Sequence, residues 1–114
     1  MTETSGGEVL ARMLQAEGVE KVFGIIDGTY FGFYSSLHKL GIDIVTPRHE
    51  SCAAHMAGAS ARLTGKLGVC MASNGPGVAN LLPGLAVRRE DPQEENDTRK
   101  ARERENHQPP QSLF

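Results

Sequence analysis

The stretch PRHESCAAHMAGASARLTGKLGVCMASNGPGVAN, residues 47–80, decides the fold. Residues 51–64 are rich in alanine and other small residues and predict a helix. Residues 68–72 form a short apolar run of strand length. A tight loop at residues 73–77 follows, and an apolar helix start comes after it at residues 78–82. The order helix, strand, loop, helix indicates an α/β chain.

The same alternation extends through the N-terminal half. Helices are predicted at residues 8–17 and 30–40, and strands at residues 21–26 and 42–46. The first helix carries an apolar stripe made of Val9, Leu10, Met13 and Leu14. Strands joined through helices are typically parallel, and continuous apolar runs fit strands buried on both faces. The predicted fold class is α/β, an open parallel sheet with helices on both faces, incomplete at its C-terminal end.

The 114 residues divide into two parts of different composition. Residues 1–87 contain all 13 glycines, with 6 Lys/Arg and 7 Asp/Glu. Residues 88–114 contain a further 6 Lys/Arg and 7 Asp/Glu in only 27 positions. We therefore expect one small domain over residues 1–87 and a charged, disordered tail over residues 88–114.

The formal net charge of −2 shows no excess of basic residues. Nucleic acids and anionic membranes both require such an excess, so we expect neither as a partner. No apolar run is long enough to span a bilayer, and the polar N-terminus is not a secretory signal. Cys52 and Cys70 are too few for a disulfide scaffold and are predicted to be buried thiols in a reducing compartment. The expected location is the cytoplasm.

Three loops follow the three predicted strands, and ligands of open parallel sheets bind at that edge. Glu50 closes the second loop and opens a helix. The simpler interpretation is a first-turn acid, which the helix dipole favours by about 0.3–1 kcal/mol. The functional interpretation requires a shielded Glu50 within reach of a ligand nitrogen or hydroxyl.

Two other motifs in this region fail their usual patterns. A zinc motif HExxH would need a histidine at position 53, where the sequence has Ala53. No further Cys or His completes a site, so we expect no metal ligand in the chain. The loop from Gly75 to Asn80 lacks the last glycine of a dinucleotide-binding fingerprint and the lysine of a phosphate-binding loop. Its helix start offers free backbone N–H groups to an anion or a ring, although a plain tight turn explains it equally well.

Taken together, EGVEKVFGIIDGTY at residues 17–30 and PRHE to NLLPGLA at residues 47–86 resemble a known domain. It is the N-terminal pyrimidine-binding domain of thiamine-diphosphate-dependent enzymes, and the acetolactate-synthase-like members are the most similar. The resemblance implies that Glu50 is the catalytic residue. In this family the glutamate bonds a pyrimidine ring nitrogen of the cofactor and drives the aminopyrimidine toward its imino tautomer.

The resemblance also implies that the cofactor thiamine diphosphate contacts Ile25, Pro76 and Asn80 besides Glu50. One loop departs from the family pattern G-x-P-G-G, because Ile26 stands in place of proline and Asp27 in place of glycine. These two replacements alter the expected backbone shape of a loop that touches the cofactor in the family.

The family holds the cofactor's diphosphate and magnesium on a separate domain marked by Gly-Asp-Gly, and this sequence contains no Gly-Asp-Gly. We therefore expect a truncated domain that supplies the pyrimidine half of a site and has no turnover alone. The complete enzyme would decarboxylate or ligate small 2-oxo acids as a lyase or transferase. The expected partner is another subunit of such an enzyme, or a second copy. The alternatives are a non-catalytic interaction module and, with less support, a flavodoxin-like nucleotide module.

Overall fold

The computed structural model describes residues 3–89. All the predicted helices and strands are confirmed, most with ends shifted by one to a few residues. In chain order they are helix α1 Gly6–Ala16, strand β1 Lys21–Gly24, a single 3-10 turn Gly28–Tyr30, helix α2 Phe31–Lys39, strand β2 Asp43–Val45, helix α3 Glu50–Thr64, strand β3 Val69–Met71 and helix α4 Pro76–Arg89. The charged segment predicted to be a disordered tail lies outside the described residues, except for its first two positions, which belong to α4.

The three strands form one parallel sheet in the order β2-β1-β3. Val22 of β1 is level with Ile44 of β2 and with Val69 of β3. The next row contains Phe23, which pairs with Val45 and Cys70. Because successive side chains of a strand point to opposite faces, each row supplies one face of the sheet. This confirms the expected open α/β architecture.

Helices α1 and α2 cover the face that carries Val22. Leu37 of α2 and Val22 are completely buried there, together with Ala11 of α1. Val19, Phe33 and Ile42 are the other buried residues of this half of the core. The connection from β2 to β3 passes back over β1, so connections of the same hand must place α2 and α3 on opposite faces.

Of the stripe predicted on helix α1, only Leu14 packs against the core. Val9, Leu10 and Met13 are 46%, 47% and 60% exposed. The helix instead approaches α2 through its small residues, since a Cβ placed on Gly7 would lie 2.8 Å from the backbone nitrogen of Phe33. Ala11, one turn further, is buried. The two backbones therefore approach closely at this interface, and Val9, Leu10 and Met13 remain exposed.

Helices α3 and α4 cover the opposite face. Phe23 of β1 packs there against a row of alanines from α3 and against Leu81 of α4. The small side chains of Ala53, Ala54 and Ala57 let α3 lie close both to the sheet and to α4. Glu50 and Asn80, described below, lie in the first turns of these two helices.

The prediction that both cysteines are buried was partly wrong. Both thiols are free. Cys70 is half-buried in the sheet, and burial raises the pKa of its thiol. Cys52 is exposed, because in the first turn of α3 it is Ala53 and Ala54, not Cys52, that pack into the core. Within residues 3–89, no helix is both long and apolar enough to cross a membrane.

Candidate functional site

The candidate site lies at the carboxyl edge of the sheet. The chain leaves β1 toward α2 on one face and leaves β3 toward α4 on the other face. Neighbouring strands whose connections diverge in this way leave a crevice between their ends, where open α/β sheets bind ligands. The loop after β2 reaches the same edge and ends at Glu50. The three loops singled out from the sequence therefore share one edge.

Glu50 is the first residue of α3 and is half-buried. Its Oε2 accepts a hydrogen bond from the side-chain amide of Asn80, with 3.0 Å between Nδ2 and Oε2. Asn80 lies in the first turns of α4, 30 positions along the chain. This hydrogen bond holds one oxygen of the carboxyl and connects the beginnings of the two helices that cover one face of the sheet.

The Glu50 carboxyl is held in its ionised form. The hydrogen bond from Asn80 is the main cause that lowers its pKa below the ordinary value of 4.5, and a backbone hydrogen bond at the start of α3 acts in the same direction. Nearby His49 lowers the pKa further, while partial burial opposes these effects. In the structure, the hydrogen bonds prevail.

The second oxygen of Glu50, Oε1, lies beside Gly77, which has no side chain to fill the space next to it. A Cβ built on Gly77 would lie 3.4 Å from Oε1 of Glu50, and also 3.4 Å from the Cβ atoms of Ala72 and Ser73. Gly77 itself is buried and has no positive φ, so its role is spatial. The absence of a side chain at Gly77 leaves a cradle whose wall contains a carboxylate oxygen.

Asp27 places a further carboxylate at the same edge. It opens the single 3-10 turn after β1 and accepts hydrogen bonds from the backbone and hydroxyl of Thr29 at 2.9 and 3.1 Å. The side chain of Ser73, in the loop after β3, is the main cause that lowers the pKa of Asp27. Asp27 therefore lies near the loop after β3, at the position where the sequence departs from G-x-P-G-G.

The other residues expected at the site have distinct places. The backbone carbonyl of Ile25, just after β1, accepts a hydrogen bond from the hydroxyl of Tyr34 at 3.4 Å. Pro76 is the exposed first residue of α4. Both lie at the carboxyl edge, whereas only Asn80 is joined to Glu50 by a described hydrogen bond. Gly77 was not singled out from the sequence, although a glycine directly after the helix-opening proline was a usable signal.

No group of three or more His, Cys, Asp or Glu side chains in residues 3–89 has a geometry that would hold a metal ion. His55 lies exposed on α3, and His49 precedes that helix. Glu50 presents a positioned carboxylate beside Gly77, suited to bonding a nitrogen or hydroxyl of an organic ligand.

A separate pocket of about 160 Å³ lies at the opposite, amino edge of the sheet. Its wall includes Ser60 and Thr64 of α3 and the ion pair between Glu20 and Lys66, whose atoms are 2.6 Å apart. It shares no lining residue with the Glu50 site. An open α/β sheet rarely binds its ligand at this edge, so the carboxyl edge remains the candidate.

Comparison with known proteins gives a family match over most of the chain. Residues 4–93 match the family model described as the thiamine pyrophosphate enzyme, N-terminal TPP binding domain. This range includes every residue of the carboxyl-edge site.

Among curated proteins, the chain is similar to large subunits of acetolactate synthase. It is 43% identical over 88 residues to the isozyme 3 large subunit of Escherichia coli, covering 76% of this chain and 15% of that protein. It is 41% identical over 87 residues to a probable large subunit of Methanococcus aeolicus, covering 76% and 14%. For the large subunit of Haemophilus influenzae the identity is 42% over 86 residues, covering 75% and 15%. The chain thus spans about 15% of the length of these relatives.

Proposed function

The chain belongs to the family of thiamine pyrophosphate enzymes, as an N-terminal TPP-binding domain, and on that premise we propose that it supplies the pyrimidine half of a thiamine diphosphate site. Glu50 is the proposed catalytic residue. The observation that carries the proposal is that the two oxygens of the Glu50 carboxyl have different surroundings. Asn80 donates a hydrogen bond to Oε2, and Oε1 borders the cradle at Gly77.

The carboxylate that borders the cradle fits an aminopyrimidine ring. Glu50 is ionised, so it accepts a hydrogen bond from a ring nitrogen only when that nitrogen carries a proton. Closure of the cradle by a flat ring would remove water from the carboxylate, which strengthens the charge-assisted hydrogen bond and raises the pKa of Glu50 toward proton sharing. In this proposal Asn80 fixes the carboxylate, and Ile25 and Pro76 border the ring from the neighbouring loops.

When bound, thiamine diphosphate supplies a carbon nucleophile that attacks the carbonyl group of a 2-oxo acid. The residues of this chain would bind and orient the pyrimidine and hold a proton at its ring nitrogen. The diphosphate and its magnesium ion are proposed to be held by a domain that is not in this sequence, which has no Gly-Asp-Gly motif. The chain alone is then expected to bind the cofactor weakly and to show no turnover.

The proposed reaction class of the assembled enzyme is decarboxylation or ligation of a small 2-oxo acid, the chemistry of an acetolactate-synthase-like lyase or transferase. The similarity to acetolactate synthase large subunits supports this class. We further propose the cytoplasm as the compartment.

Equilibrium binding of thiamine diphosphate with magnesium tests the proposal. The wild-type chain, Glu50→Gln and Glu17→Gln would be titrated in parallel. The control residue Glu17 is an exposed glutamate at the end of α1, so the same chemical change is made away from the site. The expected result is weak binding that Glu50→Gln reduces at least tenfold and Glu17→Gln leaves unchanged. Equal binding by all three proteins would refute the proposal.

A second candidate function is a non-catalytic module that pairs with a thiamine-diphosphate enzyme subunit or with a second copy. An exposed apolar stripe on α4 favours it: Val78, Leu82 and Leu85 are 49%, 58% and 45% exposed and follow helical spacing. Such a stripe is usually covered by a partner. In the described part of the chain, β2 and β3 also leave the two edges of the sheet unpaired.

Pull-down and analytical ultracentrifugation with a full-length acetolactate synthase large subunit distinguish the two functions. If the chain is only an interaction module, Leu82→Glu abolishes pairing while Glu50→Gln changes neither pairing nor cofactor binding. If it supplies a half-site, cofactor binding increases on pairing and depends on Glu50. A chain that remains monomeric at all concentrations and ignores the large subunit would exclude the interaction module.

A further inference from the structure

The first turn of α3, which carries Glu50, is capped by an imidazole ring. His49 precedes the helix with φ −148° and ψ 143°, and its Nδ1 accepts a hydrogen bond from the backbone N–H of Ser51 at 3.2 Å. The hydroxyl of Ser51 lies 2.9 Å from the same nitrogen. Helix starts leave backbone N–H groups without partners, and Ser, Thr, Asp and Asn are the usual residues that satisfy them. A histidine in this place adds a group that can change its charge.

The direction of the cap determines the protonation of the ring. A backbone N–H can only donate, so Nδ1 must present its lone pair to Ser51 and the ring proton must lie on Nε2. If the ring gains a second proton, Nδ1–H still donates to the hydroxyl of Ser51 but opposes its backbone N–H. The cap to the backbone therefore exists only while His49 is neutral.

Glu50 lies between His49, which provides the cap, and Ser51, whose backbone N–H is capped. The hydrogen bond from Ser51 to His49 closes a short ring of backbone around Glu50, so it fixes the φ and ψ angles from which the carboxylate projects. The far end of that side chain is fixed by Asn80 at 3.0 Å. The carboxylate is thus held at both ends, by the cap at its base and by Asn80 at its tip.

We propose that His49 is a positioning residue for Glu50: its neutral ring, protonated on Nε2, fixes the first turn of α3 and so directs the Glu50 carboxylate toward the cradle at Gly77. Protonation of His49 releases the backbone cap and puts a positive charge next to the carboxylate. The geometric part is independent of any ligand, whereas its meaning for cofactor binding rests on the proposed function.

His49 and the carboxylate of Asp27 both lie in loops at the carboxyl edge of the sheet. Glu50 and Arg48 are its sequence neighbours, and β2, which ends before it, has Asp43 only at its far end. The packed part of α4, residues 76–87, contains no ionisable side chain. Glu50 is the acidic group adjacent to His49, and His49 lowers its pKa.

Two variants separate the cap from the charge. His49→Asn keeps a side-chain oxygen that can cap α3 but cannot titrate, and His49→Ala removes both functions. Three readouts follow by NMR on the full chain without cofactor: the ring nitrogen shifts of His49, the amide of Ser51 and the carboxyl carbon of Glu50. Loss of the helix start alone would also raise the pKa of Glu50, so the charge is tested by His49→Asn, which keeps the cap and removes only the titrating ring.

In the wild type, Nδ1 is expected to show the shift of an unprotonated nitrogen, and the Ser51 amide is expected to titrate together with the ring. His49→Asn should retain the Ser51 amide position and lose its titration, and His49→Ala should make Ser51 amide exchange about fivefold faster. Both variants should raise the pKa of Glu50, because they remove the side chain of His49, which lowers it. A wild-type ring with its proton on Nδ1, or a Ser51 amide that does not follow the ring, would overturn the proposal.

Thiamine diphosphate titrations at several pH values complete the test. Binding by the wild type should weaken as His49 protonates, and binding by His49→Asn should keep a constant strength over the same range. If Glu50→Gln binds as tightly as the wild type, the proposed function fails while the NMR result on the cap remains valid. If binding depends on Glu50 but the wild type and His49→Asn share one pH profile, the positioning role fails alone.

Discussion

The side-chain amide of Asn80 donates a hydrogen bond to Oε2 of Glu50 over 3.0 Å, which joins the first turns of α3 and α4. Asn80 was expected from the sequence to touch the cofactor, and the structure gives it a partner within the protein. A neutral amide is a suitable partner because it fixes the carboxylate without cancelling its charge. The pair therefore leaves Glu50 charged and directed, with its other oxygen beside Gly77.

Replacement of Asn80 by alanine is predicted to raise the pKa of Glu50 toward 4.5, because the largest cause of its lowering is removed. A carboxyl whose pKa is lowered by folding stabilises the protein above its unfolded pKa, and the stabilisation is lost as the pH falls through the folded pKa. Asn80→Ala should consequently reduce stability at pH 7 and have a smaller effect in acid. Carbon NMR of the Glu50 carboxyl and urea melts at pH 7 and in acid measure both effects.

Asn74→Ala is the control for that change. Asn74 is exposed in the loop before α4, where it accepts a hydrogen bond from Ser73 at 3.3 Å. The same substitution there should leave the pKa of Glu50 unaltered. An unchanged Glu50 titration in Asn80→Ala, or an equal change in both variants, would show that the hydrogen bond does not set the ionisation.

Gly77→Ala is predicted to close the cradle while preserving the fold. The added Cβ would meet three atoms at 3.4 Å, one of them Oε1 of Glu50, which is tight but tolerable. Alanine also favours a helix over glycine by about 1 kcal/mol. Thermal unfolding should therefore be nearly unchanged, and thiamine diphosphate binding should fall at least tenfold. Full binding by a folded Gly77→Ala protein would place the ligand elsewhere.

Gly84→Ala should instead weaken the contact between α3 and α4. The added Cβ would lie 2.5 Å from the Cβ of Ala54 and 3.2 Å from the backbone oxygen of Ser51, so the helices must move apart. Overpacking of this kind typically costs about 1–3 kcal/mol. Gly32→Ala in α2 is the matched control, because nothing lies within 4 Å of its added Cβ. Urea melts in which both variants have the same midpoint would contradict the close helix contact.

The core prediction concerns Leu37, whose side chain is completely buried between α2 and the sheet. Leu37→Ala should lower the free energy of unfolding by about 2–5 kcal/mol through lost burial and a cavity. Leu63→Ala, at a side chain that is 87% exposed, should change it by less than about 0.5 kcal/mol. Denaturant titration of both variants gives the comparison, and similar losses would place α2 elsewhere.

Much of the fold was predictable because local patterns and global topology agree. The apolar runs around Val22, Ile44 and Val69 indicated strands, and the glycines after the helices marked their ends. Parallel pairing followed from the helices between strands. Since all such sheets collect their loops at one edge, the placement of Glu50 beside the loop after β3 was also predictable.

Other features depend on packing that a sequence does not display. Val9, Leu10 and Met13 look like a core stripe, but Gly7 and Ala11 allow a closer approach to α2 and leave that stripe outside. Cys52 lies among small residues and is nevertheless exposed. The cap made by His49 and the partnership of Asn80 with Glu50 join side chains whose directions only the folded backbone fixes.

Titration of the uniformly labelled chain with 4-amino-5-hydroxymethyl-2-methylpyrimidine, the ring fragment of the cofactor, tests the central claim most directly. The carboxyl carbon of Glu50 and the amides of all residues would be followed by NMR, with Glu50→Gln and Glu17→Gln in parallel. We predict shifts concentrated at Glu50, Gly77 and Asn80, retained in Glu17→Gln and lost in Glu50→Gln. Shifts at the amino-edge pocket around Lys66, or a response of Glu50→Gln equal to the wild type, would contradict the account.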